Sequence, residues 1–463
     1  MSLKGRRNKY PKHTRLWFSE KNLQKNINAC IIFIPYFRKV VAMLISVRLN
    51  NCFIYSDEVC FSMRADLRQK RFSSNVIAGN GINVVKSALI IGPNNAGKTN
   101  FVRSMSGIKH ILLNQGSELE KNLFSDNDIT EFCVNFTDGD AEYSFETKIR
   151  LRQSEFLYER MTEITFDKYK NRKETILYSR DSINSEYICG DSELVRLMPA
   201  MARNNYLFYL LDTAQFEVLS EVKRIITSFA SKIDIVDMNN IPIKKTIDMM
   251  KMTNEAQRRI VDFVLSADLS MEDFRYLSDE EVKISISEDK PGELKPQENA
   301  LSLAAPIMEM LHLGSVYHGV MVPSVIFDSA GTKKIAAIAS YVIDALEHGR
   351  ILIVDELDNS LHFKLTRAII ALFNNELNET AQLICTAHDV TLLDCKRLFR
   401  KEQIWFAHKD PQGAYLYSLA EFTADRDGVR DTTDLIEKYK SGVFGALPEP
   451  DLFKSLQEVR DIV

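Results

Sequence analysis

Residues 92 to 99 read Gly-Pro-Asn-Asn-Ala-Gly-Lys-Thr, a spacing of glycines, lysine and threonine that lets a backbone wrap a phosphate group. Glycines allow successive N–H groups to converge on anionic oxygens, and a helix that follows adds the positive end of its dipole. Gly92, Pro93, Asn94, Asn95, Ala96, Gly97, Lys98, Thr99 and Asn100 are therefore the candidate nucleotide contacts. Lys98 neutralises the β and γ oxygens and Thr99 offers its hydroxyl to Mg²⁺. Far downstream, Ile351 to Val354 are four apolar residues that end on Asp355-Glu356. Asp355 is expected to join Thr99 around Mg²⁺, and Glu356 to polarise an attacking water. The implied chemistry is hydrolysis of ATP, with Lys98 and Glu356 as its catalytic groups.

Such groups work only where strands and helices deliver them. Ala88 to Ile91 is a continuous apolar run that stops on Gly92, and Lys98 to Ile108 carries Phe101, Val102 and Met105 on one helical face. Strand, glycine loop, helix is the order a phosphate loop requires. Ile335, Ile338, Ala339, Val342, Ile343 and Leu346 form another helical face, which Gly349 can cap, and the 351–354 strand follows. A helix over 361–373 and a strand over 382–386 complete the repeat of a parallel sheet with crossover helices. Upstream, 44–49 and 59–63 read as strand, turn, strand, and 131–180 as antiparallel strands around a turn at Asp138-Gly139-Asp140. Residues 192–282 read mostly as helix, without a heptad pattern that persists.

Two further positions gain meaning from resemblance. His388, thirty-two residues after Glu356, follows a short apolar strand in Cys385-Thr386-Ala387-His388-Asp389. A histidine so placed is ordinarily structural, and Ser329-Ala330-Gly331-Thr332 at the head of the 335–346 helix is ordinarily a cap. Both are similar in place and order to the switch histidine and the signature motif of ABC-type ATPases. That resemblance implies that His388 contacts the γ-phosphate as a catalytic group. It also implies that Ser329 and Gly331 reach a nucleotide held by another subunit.

The composition is that of a globular protein: 463 residues, 45% hydrophobic, 26% charged, net charge −4. No overall charge advertises nucleic acid or an anionic membrane. Seven cysteines without a CxxC pair speak against a zinc site or a disulfide framework and fit a cytoplasmic home. The longest apolar run, Ala29 to Phe37, is interrupted by Pro35 and far short of the roughly 20 residues of a membrane span. Residues 1–42 hold ten Lys and Arg against one acid, Glu20, and are expected to be a basic extension, disordered or a misplaced start, with a nucleic-acid arm as a second reading. The expected division continues with 43–110 as the N-terminal ATPase part and 111–300 as an inserted strand and helical lid or arm, bounded near Pro291 to Pro296. Residues 301–421 are the C-terminal ATPase part and 422–463 a tail.

Together, Asp355-Glu356-Leu357-Asp358-Asn359-Ser360-Leu361-His362, the Ser329 and His388 segments, Gln403-Ile404-Trp405-Phe406 and the stretch from Tyr439 to Pro448 resemble the AAA-type, ABC-like ATPases of the RloA and AbiL group. These are relatives of the ATPase half of OLD-family nucleases and of the AriA subunit of PARIS defence. The family commonly has proline after the histidine of the LeuHis pair, where this chain has Phe363. The resemblance implies an α/β P-loop NTPase of ABC type, with an antiparallel strand subdomain and a large, mainly helical insertion. It implies a homodimer or higher oligomer that sandwiches ATP and Mg²⁺ and switches a partner effector, a TOPRIM nuclease of the RloB kind, in abortive infection triggered by a phage protein. Only 75 residues follow His388, too few for a TOPRIM domain, so effector chemistry is expected in another chain. An SMC-like repair ATPase is the alternative, disfavoured by the missing heptads. A transporter ATPase is a further one, disfavoured by the 233 residues between Lys98 and Gly331.

Overall fold

The computed structural model describes residues 42–446 apart from 79–81, 117, 140, 167–170, 212, 268–269, 283–310, 395, 412 and 431–432. The basic extension up to residue 41, the loop from Pro291 to Pro296 and the tail beyond 446 lie outside the described residues.

The strand before the glycine loop, β5 (Ser87–Ile91), is buried along its whole length, as its unbroken apolar sequence requires. It lies inside a six-stranded sheet ordered β11 (Ile233–Asp237), β15 (Ile351–Asp355), β16 (Gln382–Ala387), β5, β17 (Ile404–Lys409) and β18 (Ala414–Ser418). The first five strands are parallel and β18 closes the edge antiparallel to β17. Alternate residues enter two cores. Ala88 and Ile90 pack with Phe101 and Met105 of α1 (Lys98–Leu112) and with α2 (Glu217–Ser231), whereas Leu89 and Ile91 pack with α6 (Ala330–His348) and α7 (Phe363–Phe373). Because β5 has β16 on one side and β17 on the other, chain order reverses at its C-terminal end, where open α/β sheets bind ligands.

A seven-stranded antiparallel sheet lies against the first core, in the order β10 (Glu186–Cys189), β9 (Arg172–Asp181), β8 (Glu155–Phe166), β7 (Ala141–Arg150), β6 (Ile129–Asp138), β1 (Leu44–Asn50), β2 (Val59–Ser62). Buried Gln382 of β16 ties the two sheets: its carbonyl accepts from the Leu44 N–H at 2.7 Å and its amide donates to Leu44 O at 3.0 Å. The stretch 111–300, expected as one inserted unit, thus supplies strands β6 to β10 to a sheet begun by β1 and β2. It also supplies β11 to the parallel sheet.

The 192–282 region is less uniformly helical than its periodicity predicts. It contains α2, α3 (Lys244–Met252) and α4 (Asn254–Ala267), and also β11 and β12 (Asp273–Tyr276). Five residues of Ile-Asp-Ile-Val-Asp suit either a helix turn or a short strand, and only a neighbour with free backbone groups decides. That neighbour is β15, paired residue for residue from Ile233–Ile351 to Asp237–Asp355. β12 forms a small sheet with β13 (Leu313–Tyr317) and β14 (Val320–Pro323), followed by the short helix α5 (Ser324–Phe327). Among the described residues no helix is long and apolar enough to cross a membrane.

Candidate functional site

Gly92 leaves β5 so close to β17 that a Cβ on it would stand 2.2 Å from the Ala407 carbonyl oxygen, so only glycine fits. Asn95 turns the loop at φ 63°. Gly97, at φ 107°, begins α1, and the Tyr55 hydroxyl donates to its carbonyl at 2.9 Å. The Lys98 ammonium is folded inward, donating to Gly92 O at 2.7 Å, to Pro93 O at 3.0 Å and to His388 Nδ1 at 3.3 Å. Burial pushes its pKa down to about 8, against the opposing pull of Asp355, Glu356 and Asp358. Thr99 and Asn94 are exposed beside it.

Asp355 is buried at the end of β15, where it accepts from the Thr386 hydroxyl at 2.5 Å. The same Thr386 oxygen accepts from the Glu356 N–H at 2.8 Å, and the Thr386 carbonyl from the Leu357 N–H. Glu356 is thereby held at φ 54°, a backbone region that non-glycine residues enter at a cost of about 1 kcal/mol or more, and which concentrates at functional sites. Its carboxylate accepts from Asn239 at 3.0 Å and Asn359 at 3.1 Å, with His388 Nε2 3.5 Å away. Chiefly through the Asn239 bond, and then through Asn359 and His388, its pKa is held below the usual glutamate value. The ring thus presents Nδ1 to Lys98 and Nε2 to Glu356. The backbone under His388 is pinned too: Asp358 Oδ2 accepts from the N–H groups of His388 and Asp389 at 2.8 and 2.7 Å.

Ser329 caps α6, its hydroxyl accepting from the Thr332 N–H at 3.1 Å and pairing with the Thr332 hydroxyl at 2.9 Å. A Cβ on Gly331 would stand 2.8 Å from Ser360 O, and Lys334 donates to the Asn359 side-chain oxygen at 2.8 Å. The head of α6 therefore rests on the turn that carries Glu356.

Residues 255–394 match the family described as "AAA domain, putative AbiEii toxin, Type IV TA system". This stretch includes the Ser329, Asp355, Glu356 and His388 segments and adjoins, in space, the glycine loop at Lys98. The chain has the glycine loop and parallel sheet of a P-loop ATPase. Similar solved structures include an Smc head bound to the C-winged helix domain of ScpA, at 11% identity and TM-score 0.38, covering 81% of this chain and 97% of that one. The SMC head domain from Thermotoga maritima gives 11% and 0.37, covering 81% and 98%. An Smc head with an extended coiled coil, bound to the C-terminal domain of ScpA derived from Pyrococcus furiosus, gives 11% and 0.36, covering 86% and 100%. No curated protein matches the chain in sequence.

In this ATPase the fold brings Lys98, Asp355, Glu356 and His388 into one network, although 290 residues separate Lys98 from His388. Among the described residues no hydrogen bond or ion pair joins Ser329 or Gly331 to the glycine loop. Phe363 is the first residue of α7, and His362 caps that helix by accepting from the Lys364 N–H. Asn239 and Thr386 escaped the sequence reading as site residues. Thr386 stood in the quoted Thr-Ala-His-Asp run, whereas Asn239 followed a strand hidden in a helical stretch.

Proposed function

We propose that this ATPase is a conformational switch: two copies close around ATP, and hydrolysis reopens them to control a partner effector in anti-phage abortive infection. The observation that carries the reading is the unbroken line from Lys98 through His388 to Glu356 across the ends of β5, β16 and β15. Such a line senses the γ-phosphate at one end and orients water at the other.

In this reading the loop 92–100 holds the phosphates through its backbone and Lys98 balances their charge. Glu356, kept ionised by its amide donors, takes up the proton side of an aligned water, and His388 stabilises charge growing on the γ-phosphate. Ser329 and Gly331 serve the nucleotide of the other copy; among the described residues neither bonds to the glycine loop of its own chain. Mg²⁺ would be held by Thr99 and Asp355 and would neutralise the phosphate oxygens between them. Asp355, a buried carboxylate, and Thr99, an exposed hydroxyl, suit an ion that takes most of its ligands from phosphate and water. Among the described residues no cluster of His, Cys, Asp or Glu could hold a metal by itself.

The partner is expected to be a TOPRIM-like nuclease encoded nearby, read through the 111–300 region, whose strands and helices meet the ATP site at Asn239. The matching family's description, which names a toxin of a TA system, supports a defence role. Phage challenge of cells tests it. Protection is expected only with the effector co-expressed, and is lost in Lys98→Ala and Glu356→Gln. Full protection by this chain alone, or protection indifferent to both changes, would sink the switch.

A further inference from the structure

Asp328 stands immediately before Ser329, is 6% exposed, and takes no cation partner among the described residues. Its carboxylate instead collects three hydroxyls: Ser315 and Ser324 donate to Oδ2 at 2.7 and 2.5 Å, and Tyr317 donates to Oδ1 at 2.9 Å. The Asp328 N–H also donates to Ser324 O at 3.0 Å. Ser315 and Tyr317 lie two apart on β13, so both face the carboxylate, and Ser324 opens α5. Ser315 and Ser324 are almost wholly buried.

A buried carboxylate is costly unless its lone pairs are filled, and hydrogen bonds to an ionised group are about twice as strong as neutral ones. Apolar residues would attach β13 to the head of α6 as firmly. What they would not provide is direction, because a carboxylate gripped from three sides has one orientation. That orientation fixes the chain one residue ahead of the Ser329 hydroxyl.

We infer that Asp328 is a positioning residue that aims Ser329, so that its effect on hydrolysis is felt at the nucleotide of the opposite copy. This rests on the ATP-sandwich reading. The geometry of the small sheet β12–β13–β14 is thereby coupled to the ATP site through one side chain.

The test uses full-length chains co-expressed with two tags, so that mixed dimers are isolated. Asp328→Asn, which keeps the volume but turns an amide donor toward the hydroxyls, should lower turnover about tenfold with Mg-ATP affinity unchanged. Lys98→Ala should be inactive. A mixed dimer of the two holds one site with an intact loop from one chain and an intact Asp328–Ser329 from the other, and should regain at least about fivefold over either parent. The double change Ser315→Ala with Tyr317→Phe should behave like Asp328→Asn and serves if that variant fails to fold. Wild-type turnover in folded Asp328→Asn overturns the inference. So does failure of its mixed dimer when the Ser329→Ala and Lys98→Ala pair does complement, since Asp328 would then act only within its own subunit. Failure of the Ser329→Ala pair as well rejects the sandwich itself, and the inference with it.

Discussion

The Nζ of Lys98 and the Nδ1 of His388 stand 3.3 Å apart, so the lysine of the glycine loop is hydrogen-bonded to the histidine that faces Glu356. The other bonds of the ammonium go to the carbonyls of Gly92 and Pro93. A γ-phosphate would compete with His388 for the same cation.

Nucleotide affinity should therefore depend on pH near Lys98's depressed value. Burial lowers its pKa to about 8, so the amine is charged below that pH and neutral above it. Binding an anion favours the charged form. Affinity measured by calorimetry should be highest below pH 8 and fall as pH rises toward 10, by up to about tenfold per pH unit where the free amine is neutral. Lys98→Ala should bind weakly and show no such dependence; a steep dependence retained in that variant would assign it elsewhere.

Glu356→Gln keeps shape and removes the carboxylate proposed to orient water. Binding should survive while turnover falls by about 10² to 10⁴. The closed dimer should accumulate, visible as a heavier species in sedimentation with Mg-ATP. Wild-type turnover would move the catalytic role to another acid.

Asn239→Ala removes the main donor that holds the Glu356 carboxylate below its ordinary pKa. In the folded enzyme that pKa should then rise toward 4.5, so activity is lost at a higher pH on the acid side than in the wild type. Turnover at neutral pH should fall about tenfold with little change in KM, because the carboxylate stays ionised but loses its aim. An acid limb identical to wild type would show that Asn239 does not act on Glu356.

Gly92→Ala should be poorly tolerated, since the new methyl meets backbone rather than a yielding side chain. Overpacking of this kind costs about 1–3 kcal/mol, read as a lowered midpoint in denaturant unfolding. Weaker Mg-ATP binding should accompany it, as the loop moves off β17. Unchanged stability and affinity would mean that β17 shifts freely, against its parallel pairing with β5.

Local chemistry made much of this protein legible in one dimension. The glycine loop, the acids at 355 and 356 and the runs that became β5, β15 and β16 are short, contiguous patterns whose meaning depends on adjacent residues, which a sequence preserves. The cap at Ser329 and the stop at Gly349 belong to the same class, since a helix end is satisfied by residues within one turn of it. The tertiary structure alone decided β11, because five residues take strand form only when β15 offers unpaired backbone beside them. With β11 came Asn239, which reaches Glu356 across 117 residues. Likewise nothing near Asp328 in the sequence announces that hydroxyls at 315, 317 and 324 converge on it, or that Lys98 would find His388. Those are distances between elements, set by how two cores pack on one sheet.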